Sequence, residues 1–211
     1  MPDFTLEDEY APDDVCGLDE VGRGPLAGPV VAACVYIPPA LREHPLTGEI
    51  NDSKKLSEKK RHVLDKFIRT ECIWALAECT PGEIDDLNIL QASLTAMVRA
   101  YESMAHKAPV ALVDGNRLPR ALPCRGIPVV KGDSRSVSIA AASIIAKTYR
   151  DKLMRSLAED HPHYGWESNA GYPTKVHMEG IAQYGITIHH RRSFAPVAAY
   201  LEAAERLKIR A

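Results

Sequence analysis

The chain has 211 residues, 26% of them charged and 45% apolar, with a formal net charge of −2. That length and composition suit one globular domain with a proper core. The near-neutral balance excludes a basic field over the whole surface, so a nucleic-acid ligand would have to be met by local positive patches.

Met1 to Asp14 is polar and acidic, and reads as a short flexible tail without the basic and apolar regions of a signal peptide. Val15-Cys16-Gly17-Leu18 is a short apolar run of the kind that forms a buried strand, and it ends in two acids, Asp19 and Glu20. An unpaired buried carboxylate costs several kcal/mol or shifts its pKa, so such an ending calls for a reason, and a divalent cation is one. Gly22-Arg23-Gly24 follows, where glycine allows a sharp turn and close approach to a ligand. Val30 to Ile37 resumes as a strand, completing a hairpin that carries two acids and an arginine. Gly22, Gly24 and Gly28 are not a dinucleotide fingerprint, because that motif opens a helix and here a β-branched run follows. No GK[ST] marks a nucleotide P-loop.

A proline-rich loop and Asn51-Asp52-Ser53-Lys54-Lys55-Leu56 lead to a helix with Ser57 as its N-cap. Cys72 to Cys79 is the third strand. After Pro81-Gly82, acids enrich the first turn of a helix whose apolar stripe is Leu87, Leu90, Leu94, Met97, Tyr101 and Met104. Pro109 to Val113 is a fourth strand ending in Asp114-Gly115-Asn116. Ile127 to Val130 is a fifth, ending in Lys131-Gly132-Asp133. Ser136 to Leu157 reads as a helix, apolar almost all round at first and therefore central. His161 to Tyr172 reads as an aromatic loop, Thr174 to Tyr184 as a short helix and Pro196 to Leu207 as a terminal one. Cys16, Cys34, Cys72, Cys79 and Cys124 lack CxxC spacing and read as reduced thiols in a reducing, cytoplasmic compartment. No run is long and apolar enough to span a membrane.

A hairpin followed by alternating strands and helices predicts an α/β chain with helices against a mixed sheet, one domain over 15–211. Three apolar strands end in acids: Asp19 with Glu20, Asp114, and Asp133. Ligand sites gather at strand ends in such sheets. Carboxylates brought together there would repel unless hard cations were present. With no His or Cys in these motifs, the ligands are all oxygen, which favours Mg²⁺ or Mn²⁺ over zinc. Two such metals can orient a water and stabilise the leaving oxygen of a phosphodiester. Lys54, Lys55, Lys59, Lys60 and Arg61 form one positive cluster; Lys175 with His177 and His189-His190-Arg191-Arg192 are candidates for two more.

The segments GLDEVGRGPLAGPVV, NDSKKLS, VDGN, KGDSRSVSIAAASIIAK and GYPTKVH resemble, in order, those of the ribonuclease HII family. The similarity covers the chain from about Cys16 to Pro196. It implies the ribonuclease H-like fold: a five-stranded mixed sheet flanked by helices, with a helical C-terminal extension. It implies four catalytic metal ligands, Asp19, Glu20, Asp114 and Asp133, and ribose recognition by Gly22, Arg23, Gly24 and Tyr172. Backbone groups and a phenol can read a 2′-hydroxyl, which both donates and accepts. Arg23 suits a phosphate, and Lys54, Lys55 and Lys147 match family lysines near substrate. The segment Thr148-Tyr149-Arg150-Asp151 departs from the commoner Val-Thr-Arg-Asp, and Asp151 is expected to be structural.

The implied activity is endonucleolytic cleavage of RNA in RNA–DNA hybrids and 5′ of single ribonucleotides in duplex DNA, leaving 3′-hydroxyl and 5′-phosphate ends. The implied role is removal of misincorporated ribonucleotides by a monomer, with no sliding-clamp box evident near the C-terminus. A DNA-directed nuclease would not need a ribose reader. The sister family ribonuclease HIII carries a long N-terminal platform, for which Met1 to Asp14 is too short.

Overall fold

The computed structural model describes residues 1–209. These residues fall into two compact units. The first comprises Met1–Val21, Val31–Glu78 and Ser93–Tyr149; the second comprises Gly22–Val30, Cys79–Ala92 and the chain from Arg150 onward.

The first unit is built on the expected mixed sheet. Helix α1 (Thr5–Asp8) precedes strands β1 (Val15–Val21) and β2 (Val30–Tyr36). Helix α2 (Glu58–Glu71) begins at Ser57, whose hydroxyl accepts from Lys60 N, and leads to β3 (Ile73–Cys79). Strands β4 (Val110–Asp114) and β5 (Arg125–Val129) complete the order β3-β2-β1-β4-β5. β1 runs antiparallel to β2 and parallel to β4, and β4 is parallel to β5. β2 is buried at every position. Val31, Ala33 and Val35 of β2 pack with Leu64, Phe67 and Ile68 of α2 and with Ala140 to Ala146 further along the chain. Gly17 explains how tightly this layer closes: a β-carbon there would lie 2.2 Å from the backbone carbon of Ser138, so no larger residue fits.

The N-terminal segment is docked in this unit. Glu7 is buried and accepts from Ser136 Oγ at 2.7 Å and Ser138 N at 3.0 Å, satisfying a helix start 130 residues away.

In the second unit, Thr80 and Glu83 form a capping box at the start of α3 (Pro81–Leu87). The single helix expected over this region is two. Asn88 takes φ +67°, and its side chain accepts from Leu90 N and Gln91 N, starting α4 (Ile89–Ser103) afresh. The break resets the helical phase. Met97, Tyr101 and Met104 are accordingly buried while Leu87 is exposed.

The long helix α5 (Val137–Asp160) is buried throughout Val137 to Ala146. The predicted aromatic loop contains a short helix, α6 (Trp166–Asn169), followed by α7 (Lys175–Tyr184) and α8 (Ala195–Ile209). Tyr164 and Trp166 are core here, packed with Leu26, Ala27, Met154, Ile181 and Val197. Among the described residues no helix is long and apolar enough to cross a membrane.

Candidate active site

The register of the central strands gathers the acids. Leu18 of β1 pairs with Val113 of β4, so the next residues, Asp19 and Asp114, stand level where β4 ends and two residues before β1 does. Carboxylate oxygens of Asp19, Glu20 and Asp114 all lie within 4.8 Å of one another, the one such metal-holding group among the described residues. Asp19 is buried, and its Oδ1 accepts from Glu20 N at 2.7 Å. Asp114 Oδ1 accepts from Gly132 N at 2.7 Å. Gly132 eases that contact: a β-carbon would sit 2.5 Å from Ile139 Cδ1 and 3.2 Å from Asp114 Oδ1, and both side chains would have to shift. This close approach is what the Lys-Gly-Asp sequence after β5 encodes.

Asp133 lies in a 3-10 turn, Gly132–Ser134, outside the 4.8 Å group but within its field. Burial pushes the Asp19 carboxyl well above the usual carboxylate range, and the charges of Glu20, Asp114 and Asp133 push it further. Burial also raises Asp133, as do Asp52 and Asp114, against the pull of Lys54 and Lys55. A buried acid crowded by acids holds a proton unless a cation replaces it, and the donors are hard oxygens throughout. The residues therefore fit a divalent cation of the Mg²⁺ or Mn²⁺ type.

Asp52 is a participant that sequence reasoning missed. Its Oδ1 accepts from Lys54 N at 2.9 Å and its Oδ2 lies 3.8 Å from Lys55 Nζ. It ties the turn that carries both exposed lysines, and the Asn-Asp-Ser-Lys spacing was the available signal. Lys147 is half-buried on α5, about 15 Å along the axis from Val137 at the usual helical rise. Lys60 pairs with Glu49, and Lys59 is exposed.

The glycine-arginine-glycine segment and Tyr172 belong to the second unit. Gly22 has φ +92°, and a β-carbon on it would fall 2.2 Å from Arg150 Nε. Gly24 faces Tyr172 instead, with the ring's Cε1 3.2 Å from its β-carbon position. Arg23 and Gly24 are exposed, as is Tyr172 at 48%.

Two buried arginines hold this loop by its backbone. Arg191 donates to the carbonyls of Gly22 at 2.5 Å, Arg23 at 3.0 Å and Gly28 at 3.0 Å. Arg150 donates to those of Pro29, Ala27 and Ala170, each at 2.9 Å. Burial lowers Arg150 to about 10 and, with Arg150 beside it, Arg191 to about 9, so both stay charged at neutral pH. The charge of Asp151 supports Arg150, and that of Asp85 supports Arg191.

Two of the expected positive patches are therefore smaller than the sequence suggested, with Lys175 and Arg192 exposed and His189 partly so. Arg191 and His190 are buried, as is His177, because their polar atoms are spent on backbone and ring partners rather than solvent. Lys175 remains exposed and pairs with Glu179.

A family model described as ribonuclease HII matches residues 16–197. A ribonuclease HII from Paramagnetospirillum magneticum is 52% identical over 201 residues, covering 95% of this chain and 99% of the relative. The crystal structure of ribonuclease H2 from Pyrococcus horikoshii OT3 superposes with a TM-score of 0.75 at 26% identity, covering 92% of this chain and 99% of that one. An RNase HII from Archaeoglobus fulgidus, solved in complex with PCNA, superposes with a TM-score of 0.68 at 28% identity, over 86% of this chain and 95% of its own.

Proposed function

The chain belongs to the ribonuclease HII family, metal-dependent ribonucleases acting on RNA–DNA hybrids, and from that premise we propose that it also nicks duplex DNA on the 5′ side of an embedded ribonucleotide. The observation that carries the catalytic part is the convergence of Asp19, Glu20 and Asp114 within 4.8 Å.

Asp19, Glu20, Asp114 and Asp133 are the metal ligands in this reading. They would hold two Mg²⁺ or Mn²⁺ ions, which would supply activation of a water and stabilisation of charge on the leaving oxygen. The water oxygen bonds to phosphorus as the bond from phosphorus to the 3′-oxygen breaks, giving 3′-hydroxyl and 5′-phosphate ends. Gly22 and Gly24 offer backbone groups to the ribose, and Tyr172 offers a phenol, so a 2′-hydroxyl can be both donor and acceptor. Arg23, Lys54, Lys55 and Lys147 supply positive charge for substrate phosphates. Residues 15–211 act as one catalytic domain, as a monomer in the cytoplasm, removing misincorporated ribonucleotides.

The test is a duplex with one ribonucleotide in one DNA strand, incubated with Mg²⁺ or with EDTA, and the nick mapped at nucleotide resolution. A single Mg²⁺-dependent nick immediately 5′ of the ribonucleotide is expected. Cleavage of an all-deoxy control at the same rate would overturn the reading.

A further inference from the structure

Behind Tyr172 in the second unit lies a chain of buried rings that the proposed chemistry does not use. His190 Nδ1 is 3.0 Å from the backbone N–H of Thr187. Its Nε2 is 3.1 Å from Nε2 of His177. The indole Nε1 of Trp166 is also 3.1 Å from His177 Nε2. The other ring nitrogen of His177, Nδ1, is 2.9 Å from the backbone carbonyl of Tyr172. Trp166 and His177 are fully buried and His190 is 2% exposed.

The Thr187 hydroxyl, 3.1 Å from the same His190 Nδ1, can donate or accept and so adapts to the links that have one reading. The Thr187 amide can only donate, so His190 Nδ1 accepts, and a neutral imidazole then carries its proton on Nε2. That N–H points at His177 Nε2. The indole N–H of Trp166 can only donate, and it points at the same atom. His177 Nε2 therefore accepts, its proton sits on Nδ1, and that N–H donates to the Tyr172 carbonyl. The Trp166 donor on one side and the Tyr172 carbonyl acceptor on the other impose one tautomer on His177, whose single Nε2 lone pair is shared between the Trp166 and His190 N–H groups. The chain ends on an atom that can only accept.

We propose that His177 and His190 are positioning residues for ribose recognition, fixing the backbone of Tyr172 so that its ring stays seated on Gly24. The proposal rests on the reading of Tyr172 as the ribose-facing tyrosine. The rest of the Tyr172 backbone is held to match. Its amide donates to Asn169 O at 2.9 Å, and its carbonyl also accepts from Thr174 N at 2.8 Å. The ring itself is half exposed, and no hydrogen bond among the described residues steadies it. The histidines must stay neutral for the chain to hold, since a second proton on either would set N–H against N–H at Thr187 or Trp166. Burial keeps both below the ordinary histidine range, and the nearby His177, His189 and His161 take His190 down to about 3.

The test is a double-mutant cycle on the one-ribonucleotide duplex, run well below the lowest thermal midpoint so that every variant is folded. Tyr172→Ala and His177→Leu are each expected to lower kcat by about 10-fold or more, as small misplacements of positioned groups do. In the Tyr172→Ala background, His177→Leu is expected to cost less than about twofold, because groups acting through one another are not additive. His177→Asn puts an amide N–H where Nδ1 stood and should recover most of the His177→Leu loss. An undiminished His177→Leu penalty in the Tyr172→Ala background would make the histidines structural and overturn the positioning role alone. A Tyr172→Ala enzyme with the parental rate would instead remove the reading of Tyr172 on which the role depends. Should His177→Leu not fold, nitrogen NMR of the unaltered protein decides. His177 must be the Nδ1–H tautomer and His190 the Nε2–H tautomer, and the opposite assignment for either breaks the chain.

Discussion

The ring of Tyr172 rests on the bare α-carbon of Gly24, so near that a β-carbon there would lie 3.2 Å from Cε1 of the ring. The contact separates two glycines that look alike in the sequence. Gly24 lies outside the positive-φ region and is exposed, so alanine fits its backbone and disturbs only the tyrosine.

Gly24→Ala is therefore expected to change stability by less than about 0.5 kcal/mol, the range of benign surface changes, while clearly slowing nicking at a single ribonucleotide. Gly22→Ala must adopt a positive φ and displace Arg150, and should lose about 2 kcal/mol or more of stability. Thermal midpoints measured beside nicking rates check both. A Gly24→Ala enzyme with full rate would show that the Tyr172 contact does not bear on catalysis.

The crowding of Asp19, Glu20 and Asp114 makes cation binding visible without substrate. Mg²⁺ at about 100 times its dissociation constant is expected to raise stability by about 2.7 kcal/mol. Asp114→Asn should abolish most of that gain and, by removing one of the repelling charges, leave the cation-free protein no less stable. Calorimetric melts with and without Mg²⁺ measure it. Equal midpoint shifts in both proteins would place the cation elsewhere.

Asp133 and Asp151 offer a second separation. Asp133 sits in the field of Asp19 and Asp114, whereas the charge of Asp151 acts on Arg150. Asp133→Asn should nearly abolish cleavage while the protein remains folded. Asp151→Asn should keep substantial activity and lose some stability. The reverse pattern in cleavage and circular dichroism would identify Asp151 as the ligand.

His190 predicts a pH signature in folding. Its folded pKa, about 3, lies below the ordinary 6.5. Between those values the unfolded chain holds a proton that the folded one does not, so stability rises with pH across the window. The contribution is complete above pH 6.5 and is lost as pH falls toward 3, at up to about 1.4 kcal/mol per unit. Urea titrations at pH 7 and 5 should differ by about 2 kcal/mol from this group, and His190→Leu should lessen the difference. An identical pH dependence in the variant would rule the effect out.

What could be read from the sequence divides along physical lines. The acids at the ends of β1 and β4 were legible because each interrupts an apolar run, an anomaly of strictly local origin. The mixed sheet followed from the same runs. Asn88 could have been seen as a cap, since it precedes a fresh apolar helix, but the continuing Leu spacing concealed the break. Arg150, Arg191, His177 and His190 were illegible because their burial depends on carbonyls and rings distant in the chain. A charged residue looks solvated until its partners are known. Glu7 was missed for the same reason, its partners being Ser136 and Ser138.

Arg150 and Arg191 grip the Gly22 to Pro29 loop entirely through main-chain oxygens, so the spacing of its carbonyls fixes its path together with the packing of Leu26 and Ala27. The loop exposes only Arg23 and Gly24; Pro25 to Pro29 are buried, and Leu26 and Ala27 pack in the core with Tyr164 and Trp166. It cannot change its count. One residue inserted between Leu26 and Gly28 would put the carbonyls out of step with both guanidiniums, leaving two buried charges facing the wrong atoms. The loop is thus rigid in length, a frame that holds its two exposed residues, Arg23 and Gly24, in place from behind.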